Sequence, residues 1–506
     1  MSMLHAKCRM PSVAAVLALM LSGCAVGPDY SKPDVAMPVA YKTAEPADAP
    51  VHADTLPQNW KAAQPGDATQ RAPWWEIYGD PQLNALEERV ASANQTVVAA
   101  SARFRGARAA VAQARSAYFP TVTANAAFNQ SRASSNILYK SSAGVTVPDY
   151  LVDAQISWEP DLWGRISRAV EGGRAGAQAS AADLQSAILS MQAELASNYF
   201  ELRGTVEEER LLKETLQAYD KALALTRDRF AGGIAAESDV AQAEEQLRST
   251  QAQLIDLETA RASLVNAIAI LVGEPPSSFT LDVEPLDEGH APRPSAALAA
   301  LPLSVPSALL ERRPDIAAAE RRVAEANARV GVATAAFFPN LLLAATGGLE
   351  ATNFSSWLMA PSRFWSLGPQ LAFTALDFGG RAAARDAARA TYDESVADYR
   401  QTVLTAFGQV EDNLNALEVL RRESEAQRDA VDAAKRALSK VGNRYENGAI
   451  TYLNVVVTQA IVLSDQRTEV RIERRRMAAS VALIKALGGG WTTAALPDAE
   501  EVSRQE

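Results

Sequence analysis

Cysteine and histidine are scarce in this chain of 506 residues, which holds two of the first and three of the second. The cysteines are Cys8 and Cys24, and with Cys8 in a leader that is expected to be removed Cys24 has no partner for an internal disulfide, so stability must come from packing and assembly. His5, His52 and His290 are scattered, which leaves no constellation suited to a metal ion. No phosphate-binding glycine loop, no His-Glu-x-x-His helix and no nucleophile elbow occurs, so neither a cofactor nor a catalytic residue is expected. Long apolar runs are missing too: the stretch from Val13 to Leu21 is too short for a stable membrane helix. Excess positive charge is likewise absent. The net charge of −11 becomes −13 once Lys7 and Arg9 are set aside, which argues against a nucleic-acid partner.

What is present begins with an address. Lys7 and Arg9 precede the apolar run, which stops at Leu21-Ser22-Gly23-Cys24, the layout of a signal peptide over residues 1–23. Its end resembles a bacterial lipobox, which implies that Cys24 is acylated and becomes the first mature residue. Ala25 in place of an aspartate resembles lipoproteins sorted to the outer membrane. The alternative is a plain secretory leader with an incidental cysteine.

The body of the chain is duplicated. At a shift of 219, Ala99, Arg103, Ala107, Val111, Ala114, Ala117, Phe119 and Pro120 meet Ala318, Arg322, Ala326, Val330, Ala333, Ala336, Phe338 and Pro339. Asp161-Leu162-Trp163-Gly164-Arg165 aligns with Asp377-Phe378-Gly379-Gly380-Arg381 at 216, and Arg229-Phe230-Ala231-Gly232-Gly233 with Arg444-Tyr445-Glu446-Asn447-Gly448 at 215. Alanine bias could supply some identities, but not the paired Phe-Pro stops.

Each half reads as a helix, two strands and two long helices. From Arg165 to Phe230 there is no proline, and at 1.5 Å per residue such a helix is roughly 100 Å long. Its return partner runs from Ala235 toward Gly273, and the second half repeats the pair over Arg381 to Glu446 and Thr451 to Leu487. After Pro120, Val122, Ala124, Ala126 and Phe128 alternate with Thr121, Thr123, Asn125 and Asn129. The return strand alternates Tyr150, Val152, Ala154, Ile156 and Trp158 with Asp153, Gln155 and Ser157. In the second half Leu341, Leu343, Ala345 and Leu349 alternate less cleanly with Asn340, Leu342, Ala344 and Thr346, and Leu367, Leu371 and Phe373 with Ser366, Gln370 and Thr374. Strands of about ten residues with one apolar face suit a membrane barrel. Four strands cannot close one, and open edges in hydrocarbon are costly, so other copies must complete it. Asp161 and Asp377 stand where strand turns into helix, in the position of N-caps.

With these residues in place the chain resembles the outer membrane factor family, the TolC-like channels, and most of all its OprM/NodT-type lipoprotein branch. The resemblance rests on Cys24-Ala25-Val26-Gly27-Pro28-Asp29-Tyr30 with Pro33, on Asp161 to Arg165, on Pro306-Ser307 with Leu309-Leu310 and Arg312-Arg313-Pro314-Asp315-Ile316, and on Ala486-Leu487-Gly488-Gly489-Gly490-Trp491. It implies an α+β membrane protein and a homotrimer, whose twelve-stranded barrel continues into a long periplasmic helical tunnel. The implied function is passive efflux of drugs or other small toxic compounds, with a periplasmic adaptor and an inner-membrane transporter of RND or MFS type as partners. Type I protein secretion and a general diffusion porin are the alternatives. The expected divisions are 24–75 for the lipid anchor and strap, 76–274 for the first repeat, 275–304 for an equatorial link, 305–490 for the second repeat, and 491–506 for a loose tail.

The resemblance also implies a periplasmic aperture at the turns between the long helices, Arg229 to Val240 and Arg444 to Val457. Related channels bond a tyrosine of the second turn to an aspartate of the first; here these are Tyr445 and Asp239, although Tyr445 could simply pack and Asp239 simply cap. Aspartates that ring the aperture in relatives are replaced by Asn454 and Val457, and a latching arginine by Ile450. Leu453 and Val457 would then form apolar rings, unless Val457 faces a neighbouring helix instead.

Overall fold

The computed structural model describes residues 26–35, 41, 73–136, 144–285 and 312–504. Cys24, the motif from Pro306 to Leu310 and most of the link between the repeats lie outside them. Among the described residues each half repeats helix, two strands and two long helices, with an added turn and helix at the start of the first. In the first, a short 3-10 turn at Trp74–Tyr78 leads to α1 (Pro81–Ala93) and α2 (Gln95–Ser116), strands β1 (Thr121–Arg132) and β2 (Thr146–Trp158), then α3 (Arg165–Ala231) and α4 (Glu237–Leu271). In the second, α5 (Pro314–Ala335), β3 (Asn340–Ala351) and β4 (Arg363–Ala372) precede α6 (Gly380–Glu446) and α7 (Tyr452–Ala486).

The two longest helices have 67 residues each, about 100 Å of rise. They form because alanine, leucine and the straight-chain charged residues dominate, with no proline to break the ladder. Both begin from an aspartate at the end of a strand. The Asp161 carboxylate accepts from Ile166 N at 2.9 Å and Ser167 N at 2.7 Å, and Asp377 from Arg381 N at 3.0 Å and Gly379 N at 3.2 Å, filling amides that the first turn leaves open.

The shorter helices flank the long ones in end-to-end pairs. The Asn94 side chain, which caps α2, donates to Leu271 O at the end of α4 at 2.9 Å. Arg313, just before α5, donates to Ala486 O at the end of α7 at 3.0 Å. At each junction a glycine in the left-handed region follows the ending helix, Gly273 at φ 77° and Gly488 at φ 91°. A Cβ on Gly273 would stand 2.5 Å from Ala93 O, and one on Gly488 1.8 Å from Arg312 O, so both conformation and space require glycine. This explains one glycine of the Gly488-Gly489-Gly490 run. Around these junctions lie the two large cores, one joining Trp74, Trp75 and Tyr78 to α3, α4 and α7, the other joining Tyr41, α5, α6 and α7.

The segment ahead of the repeats is an ordered strap where it is described. Val26 N donates to Trp163 O at 3.1 Å, Asn327 holds Pro28 O at 3.0 Å, and Arg168 pairs with Asp29 at 2.8 Å. Tyr30 hydrogen-bonds Glu320 beneath the Arg321 guanidinium. The C-terminal tail departs from expectation. It is pinned: Val502 is buried against Val111 and Ala177, and Arg115 and Arg174 bind the Ser503 carbonyl at 2.7 Å and hydroxyl at 2.9 Å. Two short 3-10 turns, Thr493–Ala495 and Glu501–Ser503, shape the path. Its low periodicity hid a segment ordered by contacts with α2 and α3 rather than by its own pattern.

Candidate functional site

The first part of the site is the strand wall. The four strands form one antiparallel sheet in chain order, β1-β2-β3-β4, so among the described residues β1 and β4 each keep one unpaired edge. The register brings like faces together: Val122 opposes Ile156, Ala124 Ala154, Ala126 Val152 and Phe128 Tyr150. The row continues through Val152 with Leu349 and Ile156 with Ala345 to Leu341 with Leu371 and Ala345 with Leu367. This apolar face is not covered by the chain. Trp365 is 80% exposed, Leu367 75% and Val122 65%, exposure that water would penalise and hydrocarbon would not. The opposite face carries Thr123, Asn125, Asp153, Gln155, Thr346, Ser366 and Gln370. No described helix is long and apolar enough to cross a membrane.

Aromatic side chains mark both ends of the strands. At the end near the helices Trp163 stacks on Phe338 with ring centroids 4.9 Å apart, and its indole donates to Pro339 O at 2.7 Å. At the far end Phe128, Tyr150, Phe354 and Trp357 make a connected cluster with centroids 4.8 to 6.1 Å apart. Such rings, amphipathic in tyrosine and tryptophan, favour the two boundaries of a bilayer. The alternation was legible in the sequence, whereas the far cluster depends on residues of the β3–β4 connection meeting β1 and β2.

The second part is the opposite tip, where the α3–α4 and α6–α7 turns meet. Leu223, Ala243, Tyr445, Tyr452 and Val455 form a small core there, joined by Val240, Ile450 and Val456. The structure brings Tyr445, Ile450 and the start of α4 together, but the direct Tyr445–Asp239 bond is not formed within the chain. Asp239 turns back to its own helix and accepts from Ala236 N at 3.4 Å. The buried Tyr445 hydroxyl has no hydrogen-bond partner among the described residues. Arg229 joins the turns instead. Its guanidinium lies 4.5 Å from the Tyr445 ring centroid and donates to Tyr445 O at 3.0 Å, which also accepts from Gly448 N at 2.9 Å, and to Glu446 O at 2.9 Å, at the end of α6. Sequence reading passed over Arg229, although its repeat partner Arg444 beside Tyr445 was a signal. Burial, then the neighbouring Tyr445, Tyr219 and Asp239, push the Tyr452 hydroxyl up to about 12, so it stays protonated at neutral pH.

Leu453, Asn454 and Val457 all lie on the exposed surface of α7, Leu453 at 52% and Val457 at 50%. Asn454 Nδ2 donates to Thr451 Oγ1 at 3.1 Å. Ile461, one further turn along, is 49% exposed, so the apolar stripe is longer than the two residues read from sequence. Farther along the tunnel helices Glu208 of α3 accepts from Arg467 at 2.7 Å and Arg474 at 3.3 Å, tying α7 across to the first repeat. No group of three or more metal-ligating side chains occurs among the described residues.

Comparison with known proteins agrees with this geometry. The family model described as outer membrane efflux protein matches residues 86–274 and 305–489. The pyoverdine export outer membrane protein OpmQ of Pseudomonas aeruginosa is 32% identical over 441 residues, 86% of this chain and 91% of its own length. The probable efflux pump outer membrane protein TtgC of Pseudomonas putida is 29% identical over 478 residues, 94% of this chain and 95% of its own. The solved outer-membrane channel OprN superposes with a TM-score of 0.83 at 31% identity, covering 92% of this chain and all of that one. The chain therefore belongs to the outer membrane efflux protein family and is an outer-membrane channel component serving efflux.

Proposed function

We propose that three copies of the chain join their four-stranded sheets into one twelve-stranded barrel, open to the long helices below, and that drugs or other small toxic compounds pass through it. The observation that carries this reading is the sheet itself: an exposed apolar face, a polar face and two edges unpaired among the described residues, set on helices of 67 residues. Cargo reaches the lower end from an inner-membrane transporter of RND or MFS type through a periplasmic adaptor. Relatives named for pyoverdine export and for toluene efflux support small-molecule cargo. Purified protein in planar bilayers should conduct in discrete steps, and deletion of the gene should lower resistance that a general porin does not restore. A protein that inserts but never conducts would contradict the reading.

Cys24 is the lipid anchor in this reading. Val26 lies against Trp163 at the lower aromatic level, which supports an acyl chain entering the bilayer two residues away. Cys24→Ser should abolish acylation; mass spectrometry of the mature wild-type protein that finds no lipid on Cys24 would remove the anchor.

The lower end closes by apolar packing. Related copies of Leu453 and Val457, extended by Ile461, face one another near the threefold axis and exclude water without carboxylates. Trivalent cations added from the periplasmic side should therefore block poorly, and Val457→Asp should install the block. Strong block of the wild type from that side would refute the apolar ring.

A further inference from the structure

Among the described strand residues the exposed apolar face carries two charged side chains, and both are arginines. Arg132 is the last residue of β1 and Arg363 the first of β4. Arg132 pairs with Thr146, on the parity of Phe128 and Tyr150, and Arg363 with Leu349, on the parity of Trp365 and Leu367. The strand carboxylates take the other parity. Both arginines are exposed, and among the described residues neither has an ion pair or a side-chain hydrogen bond. Their strand ends point away from the long helices, and so away from the periplasm. Trp365, 80% exposed, stands two residues before the far end of β4, about 7 Å along the strand, which sets Arg363 just beyond the apolar face. A guanidinium at that height reaches the headgroups of the outer leaflet.

The arginines lie on opposite edges of one chain, yet at one seam of a closed barrel. β4 runs antiparallel to β1, so a copy that lays its β1 along β4 brings the last residue of one strand toward the first residue of the other. Along straight rows of partners Arg363 leads through Leu349 and Val152 to Ala126, six residues short of Arg132. The helix-side strand ends recover four of those six. Ala372 faces Asn340, three residues beyond Leu343, whose partner Trp158 is one beyond the partner of Thr121. Tilted barrel strands require this stagger. A further step of up to about two residues at the seam sets Arg363 of one copy on the diagonal of Arg132 of the next or directly across from it, with Cβ atoms about 4.5–8 Å apart. Two guanidinium groups so placed repel each other unless an anion lies between them, and their planar forks match the oxygens of a phosphate.

We propose that each seam of the barrel holds a phosphorylated lipid headgroup of the outer leaflet between Arg363 of one copy and Arg132 of the next. This rests on the shared-barrel reading, since a single chain carries only half of each site. The apolar face at Trp365 and Leu367 lies directly below and receives the acyl chains, which favours a lipid over a free phosphate ion. A lipid so held touches two copies at once and fastens them together.

The test is native mass spectrometry of the detergent-solubilised protein with three probes: lipid A carrying two phosphates, its dephosphorylated form, and inorganic phosphate. The wild-type trimer should retain the phosphorylated lipid, up to one per seam, and Arg132→Gln/Arg363→Gln should bind it at least about tenfold more weakly. Each single variant removes half of every site and should lose most of that affinity; both side chains are exposed, so the fold is spared. The dephosphorylated lipid should bind the wild type and the double variant alike. Equal binding of the phosphorylated lipid by wild type and double variant, or of both lipids by the wild type, would overturn the proposal. Inorganic phosphate that binds the arginines as tightly as the lipid would overturn it too. These results come from an intact trimer and leave the shared barrel standing, whereas a monomer alone would overturn barrel and seam together.

Discussion

Arg229 shows what the residue scale adds to a motif. The resemblance implied a tyrosine of one turn bonded to an aspartate of the other, with plain packing and capping as the alternative; within the chain Asp239 caps α4, and Arg229 stacks on Tyr445 while holding the last carbonyls of α6. Arg229→Ala should loosen the junction and raise single-channel conductance or antibiotic leakage, whereas Asp239→Ala should change either much less. Equal effects of the two substitutions would restore the aspartate to the latch. Glu87 is fully buried beside the Trp74–Tyr78 core, neither oxygen has a hydrogen-bond partner among the described residues, and burial pushes its carboxyl up to about 9. The folded state therefore holds it neutral. Because the folded value lies above the unfolded one, its contribution is complete below about pH 4.5 and is lost as pH rises to about 9, at no more than about 1.4 kcal/mol per pH unit. Heat-dissociation midpoints of Glu87→Gln between pH 5 and pH 9 should be flatter than those of the wild type; parallel curves would show that Glu87 is ionised in the fold. Glu87 was not legible in the sequence, since its burial is set by elements far away along the chain, and Arg229 left one signal, its repeat partner Arg444 beside Tyr445.

At the scale of elements, most of the design was legible. The Phe-Pro stops at Phe119-Pro120 and Phe338-Pro339 precede β1 and β3, and the alternation from Val122 to Phe128 anticipates the face that meets Ile156 to Tyr150. The aspartates at the strand ends take helix amides, but from ahead of the cap, since the N-cap residues themselves are Gly164 and Gly379. Long periodic segments announce themselves because each residue repeats the same local rule. The end-to-end helix junctions did not, because a glycine's neighbour is invisible until the backbone of another element arrives beside it. The tail was misread for the same reason: its order comes from Val111, Arg115 and Arg174. Gly488→Ala should destabilise the assembly by more than about 1 kcal/mol, since it adds left-handed strain and a clash with Arg312 O. Gly106→Ala, in an open position of α2, should be neutral or stabilising by about 0.5–1 kcal/mol. Equal losses of heat-resistant protein for both would contradict the tight junction.

The whole molecule is incomplete as one chain. In the proposed shared barrel, the sheet face that exposes Trp365 and Leu367 meets hydrocarbon, and the edges of β1 and β4, unpaired among the described residues, join strands of other copies, because unpaired backbone donors and acceptors are costly inside a bilayer. The proposed passage and closure both depend on joining those edges. Native mass spectrometry of the detergent-solubilised protein tests this most directly: the account predicts a complex of three chains that dissociates only as the strands unfold, and a stable, folded monomer would contradict it.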